Sequence, residues 1–261
     1  INGSLDPSRI MILCGHMDAI VYPDTQIARY FAPGADDNGT GAAATKEIAR
    51  IFSQYSWEPT MIFACWAAEE IGTLGSDDYA KRAYNAGLDI DAVVNLDAIG
   101  FIDDSLEECY VHFQDDFSKW IVDLFIMARE LYVSDSLLLY EAQYTGGGDD
   151  RSFANRGYPA IMCIEQAFNN NPHIHDTSDV IDYITPSFLT HSAQTATATM
   201  AILGLYPCLI NNVSALDLGD GQILVVNWDE SESSDVLGYK VFWGMQSEVY
   251  SDSHLIMGIS S

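Results

Sequence analysis

The sequence predicts an α/β fold in which a mixed, mostly parallel central sheet is flanked by helices. Two observations lead to this prediction. Four short apolar runs, rich in Ile, Val and Met, are typical of strands that are buried on both faces. Segments with apolar residues at helical spacing lie between these runs, so strand and helix alternate along the chain. The predicted strands are Ile10–Cys14, Met61–Trp66, Ala92–Leu96 and Ala160–Ile164.

Three helices are predicted from the apolar periodicity. The first, Thr40–Tyr55, begins with glycines and alanines and carries Ile48 and Phe52 on one face. The second spans Phe117–Leu131, where aromatic and aliphatic residues recur at helical spacing. The third, Ser187–Tyr206, is rich in Ala and Thr and would close the domain.

The sequence pattern changes after residue 206, which predicts two domains, residues 1–206 and residues 207–261. In the second, Gln222–Trp228 and Gly238–Trp243 alternate apolar and polar residues, as exposed strands do. The tryptophan of the first segment and the Gly-Tyr-Lys-Val-Phe-Trp-Gly run of the second resemble the first half of a fibronectin type III module. Because such a sandwich needs about 100 residues, we expect only part of one, as a short C-terminal β appendage.

The composition excludes several classes of protein. Hydrophobic residues make up 48% of the 261 residues and charged residues 19%, which is a globular composition and not a disordered one. The net charge of −27 repels phosphate and anionic lipid, so neither nucleic acid nor a membrane is expected as a partner. No apolar run reaches the roughly 18 residues that a membrane span needs. The chain begins at Ile1 without a signal-like segment, so we expect it to be a piece of a longer protein.

Residues that can bind metal ions follow each predicted strand. The carboxyl ends of the strands in an open α/β sheet form its ligand crevice, so these side chains should converge. In strand order they are His16 and Asp18, Glu69 and Glu70, Asp97, and His173 with His175.

A fifth polar segment, the loop Pro33–Gly41, leads into the first helix and contains two adjacent aspartates, Asp36 and Asp37. One of its Asp, Asn or Thr residues is expected to cap the helix. Two adjacent aspartates exceed what capping requires, so we expect this loop to join the polar cluster.

Acidic residues gathered in one cleft require a cation. Two like charges about 4 Å apart repel by roughly 4 kcal/mol at an effective dielectric constant of 20. The carboxylates of Asp36, Glu69, Glu70 and Asp97 could therefore share a cleft only with bound cations, such as two divalent ions. With histidines completing the ligand sets, this mixture of donors suits zinc best, with manganese or cobalt as alternatives.

Five motifs occur in a fixed order along the chain. They are G-H-M-D from residue 15, P-G-A-D-D-N-G-T-G from 33, A-A-E-E-I-G-T-L-G-S from 67, N-L-D from 95 and N-P-H-I-H-D-T-S-D from 171. This order resembles that of the co-catalytic di-zinc aminopeptidase family, whose best-known members are secreted bacterial leucyl aminopeptidases. Glutamate carboxypeptidase, the transferrin receptor ectodomain and glutaminyl cyclases are relatives. The resemblance covers about residues 1–206 and implies the zinc exopeptidase fold.

The resemblance also implies a set of metal ligands. The loop histidine directly before the Asp-Thr-Ser-Asp stretch is the one that matches the family pattern, so His175 is favoured over His173. The implied ligands are His16 and Asp97 for one zinc ion, Glu70 and His175 for the other, and Asp36 as the bridge between the two.

Further roles follow from the same resemblance. A cis peptide bond is expected between Asp36 and Asp37. Glu69 would be the general base. Asp18 would accept the free imidazole N–H of the first zinc histidine and set its tautomer. Tyr144, in a stretch without cysteines, would take the place of the family's oxyanion-stabilising tyrosine with a shift in register.

The activity that the resemblance implies is removal of N-terminal residues from peptides that have a free N-terminus. A carboxypeptidase or dipeptidase of the same fold is the alternative, with Arg151 and Arg156 as the nearest candidates to bind a substrate carboxylate. A glutaminyl cyclase is less favoured because that branch uses one zinc ion, and a non-catalytic binding module because every ligand is present. The β-rich tail suggests a secreted, periplasmic or cell-surface protein. The sequence does not indicate an oligomeric state.

Overall fold

The computed structural model describes residues 1–23, 27, 29–133, 135–144, 146–205, 213–219, 223–229, 238–244 and 252–257. The chain divides into two compact units, Ile1–Leu205 and Tyr206–Ser261. This division lies next to the boundary between residues 206 and 207 that the change of sequence pattern predicts.

The first unit is built on one six-stranded sheet. Its strands are β1 Asp6–His16, β2 Pro59–Trp66, β3 Asp89–Asp97, β4 Glu107–Phe113, β5 Leu137–Gln143 and β6 Ala160–Glu165. They lie in the order β2-β1-β3-β6-β4-β5, and all neighbours are parallel except β4 and β6, which are antiparallel. The predicted mixed, mostly parallel sheet is confirmed, and the four apolar runs form the four strands at one side of it.

Within the described ranges, five α-helices flank this sheet. They are α1 Gly39–Phe52, α2 Leu74–Ala86, α3 Lys119–Tyr132, α4 Asp149–Ala154 and α5 Pro186–Gly204, with short 3-10 segments at Asp116–Ser118, Gln166–Asn169 and Ile181–Tyr183. Helices α1, α3 and α5 match the three predicted ones within a few residues. Helix α2 was not predicted from the apolar periodicity because it packs through small residues, Ser76, Ala80 and Ala83, and not through a stripe of large apolar residues.

Alternate residues of β1 point into two separate cores, as the two-residue period of a strand requires. Met11 and Leu13 pack in the core that α1, α3 and α5 cover. Ile10, Ile12 and Cys14 pack in the core that α2 and α4 cover. With both faces covered, the carboxyl ends of β1, β2, β3 and β6 are left as the place where polar side chains can gather.

Strands β4 and β5 were not predicted because they are only half-buried: β5 lies at the sheet edge, and β4 lies next to it. In β4, Cys109, Val111 and Phe113 are buried, whereas Tyr110 and His112 between them are partly exposed. A strand of this kind lacks the continuous apolar run that identifies an interior strand.

The second unit contains two antiparallel strand pairs in its described residues. Strand β7 (Ser214–Asp217) pairs with β8 (Leu224–Asn227), and β9 (Gly238–Trp243) pairs with β10 (Asp252–Met257). Strand β9 coincides with the predicted segment, and β8 lies within the other one. The acidic stretch that separates them, residues 230–235, and residue 222 fall outside the described residues, and the likeness to a fibronectin module stays a prediction.

None of the described helices is both long enough and apolar enough to cross a membrane.

Candidate metal centre

The loops after the central strands surround a cavity of about 530 Å³. Its wall contains His16, Asp37, Glu69, Glu70, Asp97 and His175. Four non-glycine residues have positive φ in the described part of the chain, and all four lie in the cavity wall or directly beside a residue of it: Ala68, Thr73, Ala98 and His175. Such conformations are costly and cluster at functional sites, so the backbone itself marks this cavity.

His16, the last residue of β1, is fully buried and has its tautomer set by the backbone. Its Nδ1 lies 3.1 Å from the carbonyl oxygen of Asp18, which can only accept, so Nδ1 carries the hydrogen. Its Nε2 lies 3.1 Å from Asp37 Oδ1 and 3.2 Å from Asp97 Oδ1. Burial opposes a charge on the ring, but the two carboxylates outweigh it and raise the pKa of His16 to about 12. The space between these three groups therefore strongly favours positive charge.

Asp37 joins the two halves of the site. One of its carboxylate oxygens faces His16, and the other lies 3.1 Å from Nε2 of His175. Burial alone would raise the pKa of Asp37, yet its contacts with both histidines hold that pKa below its ordinary value. A single carboxylate with one oxygen toward each histidine has the arrangement of a bridging ligand.

The second half of the site is formed by His175 and Glu70. Nε2 of His175 lies 3.0 Å from Glu70 Oε2. His173 does not face this cluster: its ring stacks on Tyr183 with centroids 3.7 Å apart, and its Nδ1 lies 2.8 Å from Ser178 Oγ. The structure thus places the predicted histidine of the pair, His175, at the site and gives His173 a packing role.

The structure corrects the expectation for Asp36. Its carboxylate turns away from both histidines and accepts hydrogen bonds from the Gly100 N–H at 2.9 Å and from Asn171 Nδ2 at 3.2 Å. Asp37 occupies the place expected of Asp36, and the cis peptide bond joins Asp37 to Asn38, one residue later than expected. Adjacent residues of this loop point in different directions, and the motif alone does not show which one faces the cleft.

The structure also corrects the contact expected of Asp18. The imidazole N–H of His16 goes to the backbone carbonyl of Asp18, and the carboxylate lies 3.7 Å away. That carboxylate instead accepts from the backbone N–H groups of Glu69, at 3.0 Å, and Glu70, at 3.3 Å. Asp18 therefore holds the backbone that carries the two glutamates.

Asp179 holds the backbone of the loop Pro33–Gly41, which we call the aspartate loop, just as Asp18 holds the backbone of Glu69 and Glu70. Its two carboxylate oxygens accept from the N–H groups of Asp36, at 2.8 Å, and Asp37, at 3.0 Å. Asp179 was not among the predicted site residues, although it is the last residue of the Asn171–Asp179 motif. An acceptor for two consecutive backbone donors fixes the direction of the side chains between them.

A glycine lets the aspartate loop approach the sheet. A methyl group at Gly41, in the first turn of α1, would overlap the carbonyl oxygen of Leu96 and the side chain of Asn38. Asn38 caps this helix by accepting from the Gly41 N–H at 2.9 Å, and it donates to the Leu96 carbonyl at 2.8 Å. The capping residue expected in the loop is therefore Asn38, and it ties the loop to β3.

Glu69 lines the same cavity and is half-buried. Burial, followed by the nearby negative charge of Asp97, raises the pKa of Glu69 to about 8. A carboxyl group with such a pKa can exchange a proton near neutral pH, which is the property that a general acid–base group needs.

Tyr144 also lines the cavity. Its ring stacks on His112 with centroids 4.5 Å apart and packs directly over Gly146, where a side chain would overlap it. His112 in turn stacks on Tyr110, so three rings line the cavity. Residue 145 falls outside the described residues. The position is compatible with the oxyanion role expected of Tyr144, which stays a prediction.

The residues at this site fit a pair of divalent ions. His16, Asp37 and Asp97 offer donor atoms that all lie within 4.8 Å of one another, and so do Asp37, Glu70 and His175. Two further observations agree. Nε2 of His16 faces two carboxylate oxygens, an arrangement that is stable only with a proton or a metal cation between them, and the buried Glu70 Oε1 has no hydrogen-bond partner among the described residues. Imidazole and carboxylate donors in this proportion suit zinc.

The arginines considered for a substrate carboxylate lie elsewhere. Arg156 pairs with Asp77 at 2.8 Å, outside the cavity. Arg151 is exposed and does not line the cavity either. Among the described residues, the cavity wall contains no arginine or lysine.

Comparison with known proteins agrees with this geometry. The "Probable leucine aminopeptidase" of Arthroderma otae is 31% identical over 202 residues, which cover 75% of this chain and 54% of that protein. The LapA aminopeptidase of Legionella pneumophila has a TM-score of 0.61 at 26% identity, covering 75% of this chain and 52% of that one. BSAP, a zinc aminopeptidase from Bacillus subtilis, has a TM-score of 0.62 at 25% identity, with 76% and 46% covered.

The chain spans about half the length of the curated relatives it matches. The model of one family, described as peptidase family M28, matches residues 1–200. This match covers the sheet, its helices and every residue of the cavity discussed above, and it confirms the family resemblance drawn from the five motifs. The chain belongs to peptidase family M28.

Proposed function

We propose that this protein is a zinc-dependent aminopeptidase that removes N-terminal residues from peptides with two metal ions and a glutamate base. The observation that carries the proposal is the Asp37 carboxylate, which faces His16 with one oxygen and His175 with the other. We assign His16, Asp37 and Asp97 to one ion and Asp37, Glu70 and His175 to the second. The zinc and aminopeptidase names of the relatives support the assignment.

The charge of the cavity favours the amino end of a peptide as the group that binds. Asp37, Glu69, Glu70, Asp97 and Glu165 all line it, and no arginine or lysine does among the described residues. As metal ligands, Asp37, Glu70 and Asp97 would be neutralised by the ions, so the carboxylates left to meet an α-ammonium group are those of Glu69 and Glu165. The described wall offers no arginine or lysine to an α-carboxylate. This favours an aminopeptidase over the carboxypeptidase alternative.

The chain's own residues account for the movement of protons. When bound, zinc supplies Lewis acidity that polarises the scissile carbonyl and lowers the pKa of water. Glu69 takes a proton from the attacking water as the C–O bond forms, and it hands that proton to the nitrogen of the leaving amine as the C–N bond breaks. Positive charge beside Glu69 would lower the raised pKa of this carboxyl group toward neutrality, where the group can both accept a proton from water and donate it to the amine. Asp18 keeps Glu69 in place through the backbone.

The proposal is tested with leucine p-nitroanilide and the zinc-loaded full chain. We expect the wild type to release p-nitroaniline and Glu69→Gln to lose about 10²- to 10⁴-fold in turnover, the range for general acid–base groups, while it retains its zinc. Glu47→Gln, an exposed glutamate of α1 paired with Arg50, is the matched control and should keep wild-type turnover.

Three outcomes would contradict the proposal. Near wild-type turnover of a zinc-replete Glu69→Gln variant would exclude Glu69 as the base. Cleavage of an N-acetylated peptide at its C-terminus would point to the carboxypeptidase alternative. Absence of turnover on a panel of aminoacyl amides, with both ions bound, would favour the non-catalytic alternative.

We further propose that the protein acts outside the cytoplasm, as the sequence suggested. The support is the β-rich C-terminal segment, which resembles modules that accompany extracellular hydrolases. Fractionation of the producing cells, followed by detection of the chain in medium, envelope and cytoplasm, tests it.

A further inference from the structure

A second cavity, of about 460 Å³, adjoins the metal centre. The two cavities share one lining residue, Glu70, which therefore stands between them. The second cavity combines apolar side chains with one arginine and two acidic residues. Its lining consists of Ala19, Ile20, Ala68 and Ile71, together with Arg29, Asp18 and Glu70. The Asp18 carboxylate already accepts from the N–H groups of Glu69 and Glu70.

Arg29 is unusual in its surroundings. The chain has only 11 lysines and arginines against 38 acidic residues, and among the described residues Arg29 is the one arginine or lysine that lines either cavity. It is exposed and forms no ion pair with any residue in the described part of the chain. A free guanidinium at the rim of an otherwise acidic centre is available to an anionic group of a ligand.

The apolar part of this cavity is also available. Ile71, directly after Glu70, is 67% exposed, and Ile20 faces the same space. An exposed apolar side chain by itself is ordinary. Here two isoleucines and two alanines line one concave space beside a charge, which is how a site selects a small amphipathic ligand.

We propose that this second cavity is the subsite for the residue released together with the new amine, and that Arg29 binds its free α-carboxylate. The inference rests on the proposed function. With the N-terminal residue in the acidic cavity, the second cavity lies within reach of the residue after the scissile bond, because Glu70 lines both cavities. The substrates it predicts are dipeptides and other short peptides in which an apolar residue with a free carboxylate follows the cleaved bond.

Arg29 would bind a substrate carboxylate, the role for which Arg151 and Arg156 were considered from the sequence. A carboxylate-binding arginine was considered as the sign of a carboxypeptidase or dipeptidase. Located in the neighbouring cavity and not beside the acidic wall, such an arginine is compatible with cleavage from the amino end and adds a preference for very short substrates.

The test compares leucyl-leucine with leucyl-leucine amide on the zinc-loaded full chain. We expect the wild type to have a KM roughly two- to fivefold lower for the free acid, the range for an exposed ion pair. The preference should fall toward one in Arg29→Gln and also in the wild type at 1 M salt, where screening is nearly complete. Arg82→Gln, an exposed arginine of α2 paired with Asp78, is the matched control and should keep the preference.

A second variant tests the apolar half of the subsite. Ile71→Asn should reduce the advantage of leucyl-leucine over leucyl-glycine without removing the preference for the free acid. The two variants therefore separate the contribution of the charge from that of the apolar wall, and neither result depends on the other.

The possible outcomes distinguish failure of the subsite from failure of the proposed function. Equal KM values for acid and amide in the wild type, or a preference that Arg29→Gln leaves unchanged, would overturn the subsite, while leucine p-nitroanilide hydrolysis would still uphold the proposed function. If no substrate is turned over, the proposed function fails. Calorimetric binding of the same two dipeptides to the wild type and to Arg29→Gln then decides the subsite.

Discussion

Exchange of the two adjacent aspartates for asparagine tests the geometry of the metal centre most directly. Asp37→Asn removes one negative charge from between His16 and His175, whose Nε2 atoms lie 3.1 Å from its two oxygens. Asp36→Asn removes the same charge one residue earlier. The two variants are matched in chemistry and in position along the chain, and they differ in where the side chain points.

The expected effects differ by one or more orders of magnitude. Unit charges at about 4 Å and an effective dielectric constant of 20 interact by about 4 kcal/mol, so Asp37→Asn should weaken both metal positions on the order of 10³-fold. Asp36 acts through Gly100 and Asn171, and outer contacts of this kind are worth about 10- to 100-fold. The oxygen of an asparagine at position 36 can still accept from the Gly100 N–H, which favours the lower end.

Zinc content after dialysis against a series of buffered free-zinc concentrations measures both affinities, and circular dichroism checks that each variant is folded. We expect the wild type and Asp36→Asn to retain about two ions per chain at zinc concentrations where Asp37→Asn has lost them. Loss of zinc from Asp36→Asn with retention by Asp37→Asn would refute the geometry and restore the assignment drawn from the motif alone.

Three further predictions concern stability. Asp179→Ala leaves the N–H groups of Asp36 and Asp37 without their acceptor and should lower the free energy of unfolding by about 1 to 3 kcal/mol per lost bond, measured by urea denaturation. Gly41→Ala should cost about 1 to 3 kcal/mol in the same assay because its methyl overlaps the Leu96 carbonyl, and no loss would contradict that close approach. Burial lowers the pKa of His112 from 6.5 to about 4. As the pH drops from 6.5 toward 4, the unfolded chain therefore binds a proton at this residue before the folded chain does, and stability should fall. His112→Phe, which keeps a ring in the stack, should flatten this part of the plot of thermal stability against pH, and an unchanged plot would contradict the assignment.

The amino-acid sequence by itself determined the interior of the fold and the kinds of residue at the site. Strands such as Ile10–Cys14 and Ala160–Ile164 are buried on both faces, and burial requires apolar residues that can be read without coordinates. Their carboxyl ends then dictate where His16 and Asp97 must meet. Strands β4 and β5 and helix α2 were not predicted, because the strands are only partly buried and the helix packs through small residues, and neither leaves a clear apolar pattern.

Only the tertiary structure decided which atoms face one another. The motif contains two adjacent aspartates, and the choice of Asp37 over Asp36 depends on two hydrogen bonds that their backbone N–H groups donate to Asp179, about 140 positions away in the sequence. Contacts between distant loops also decide two other features. The Asp18 carboxylate accepts from the backbone of Glu69 and Glu70, and Arg29 lines the same cavity as Glu70. Local pattern specifies burial because burial is a property of one segment, whereas the direction of a side chain in a loop is set by partners that distant segments supply.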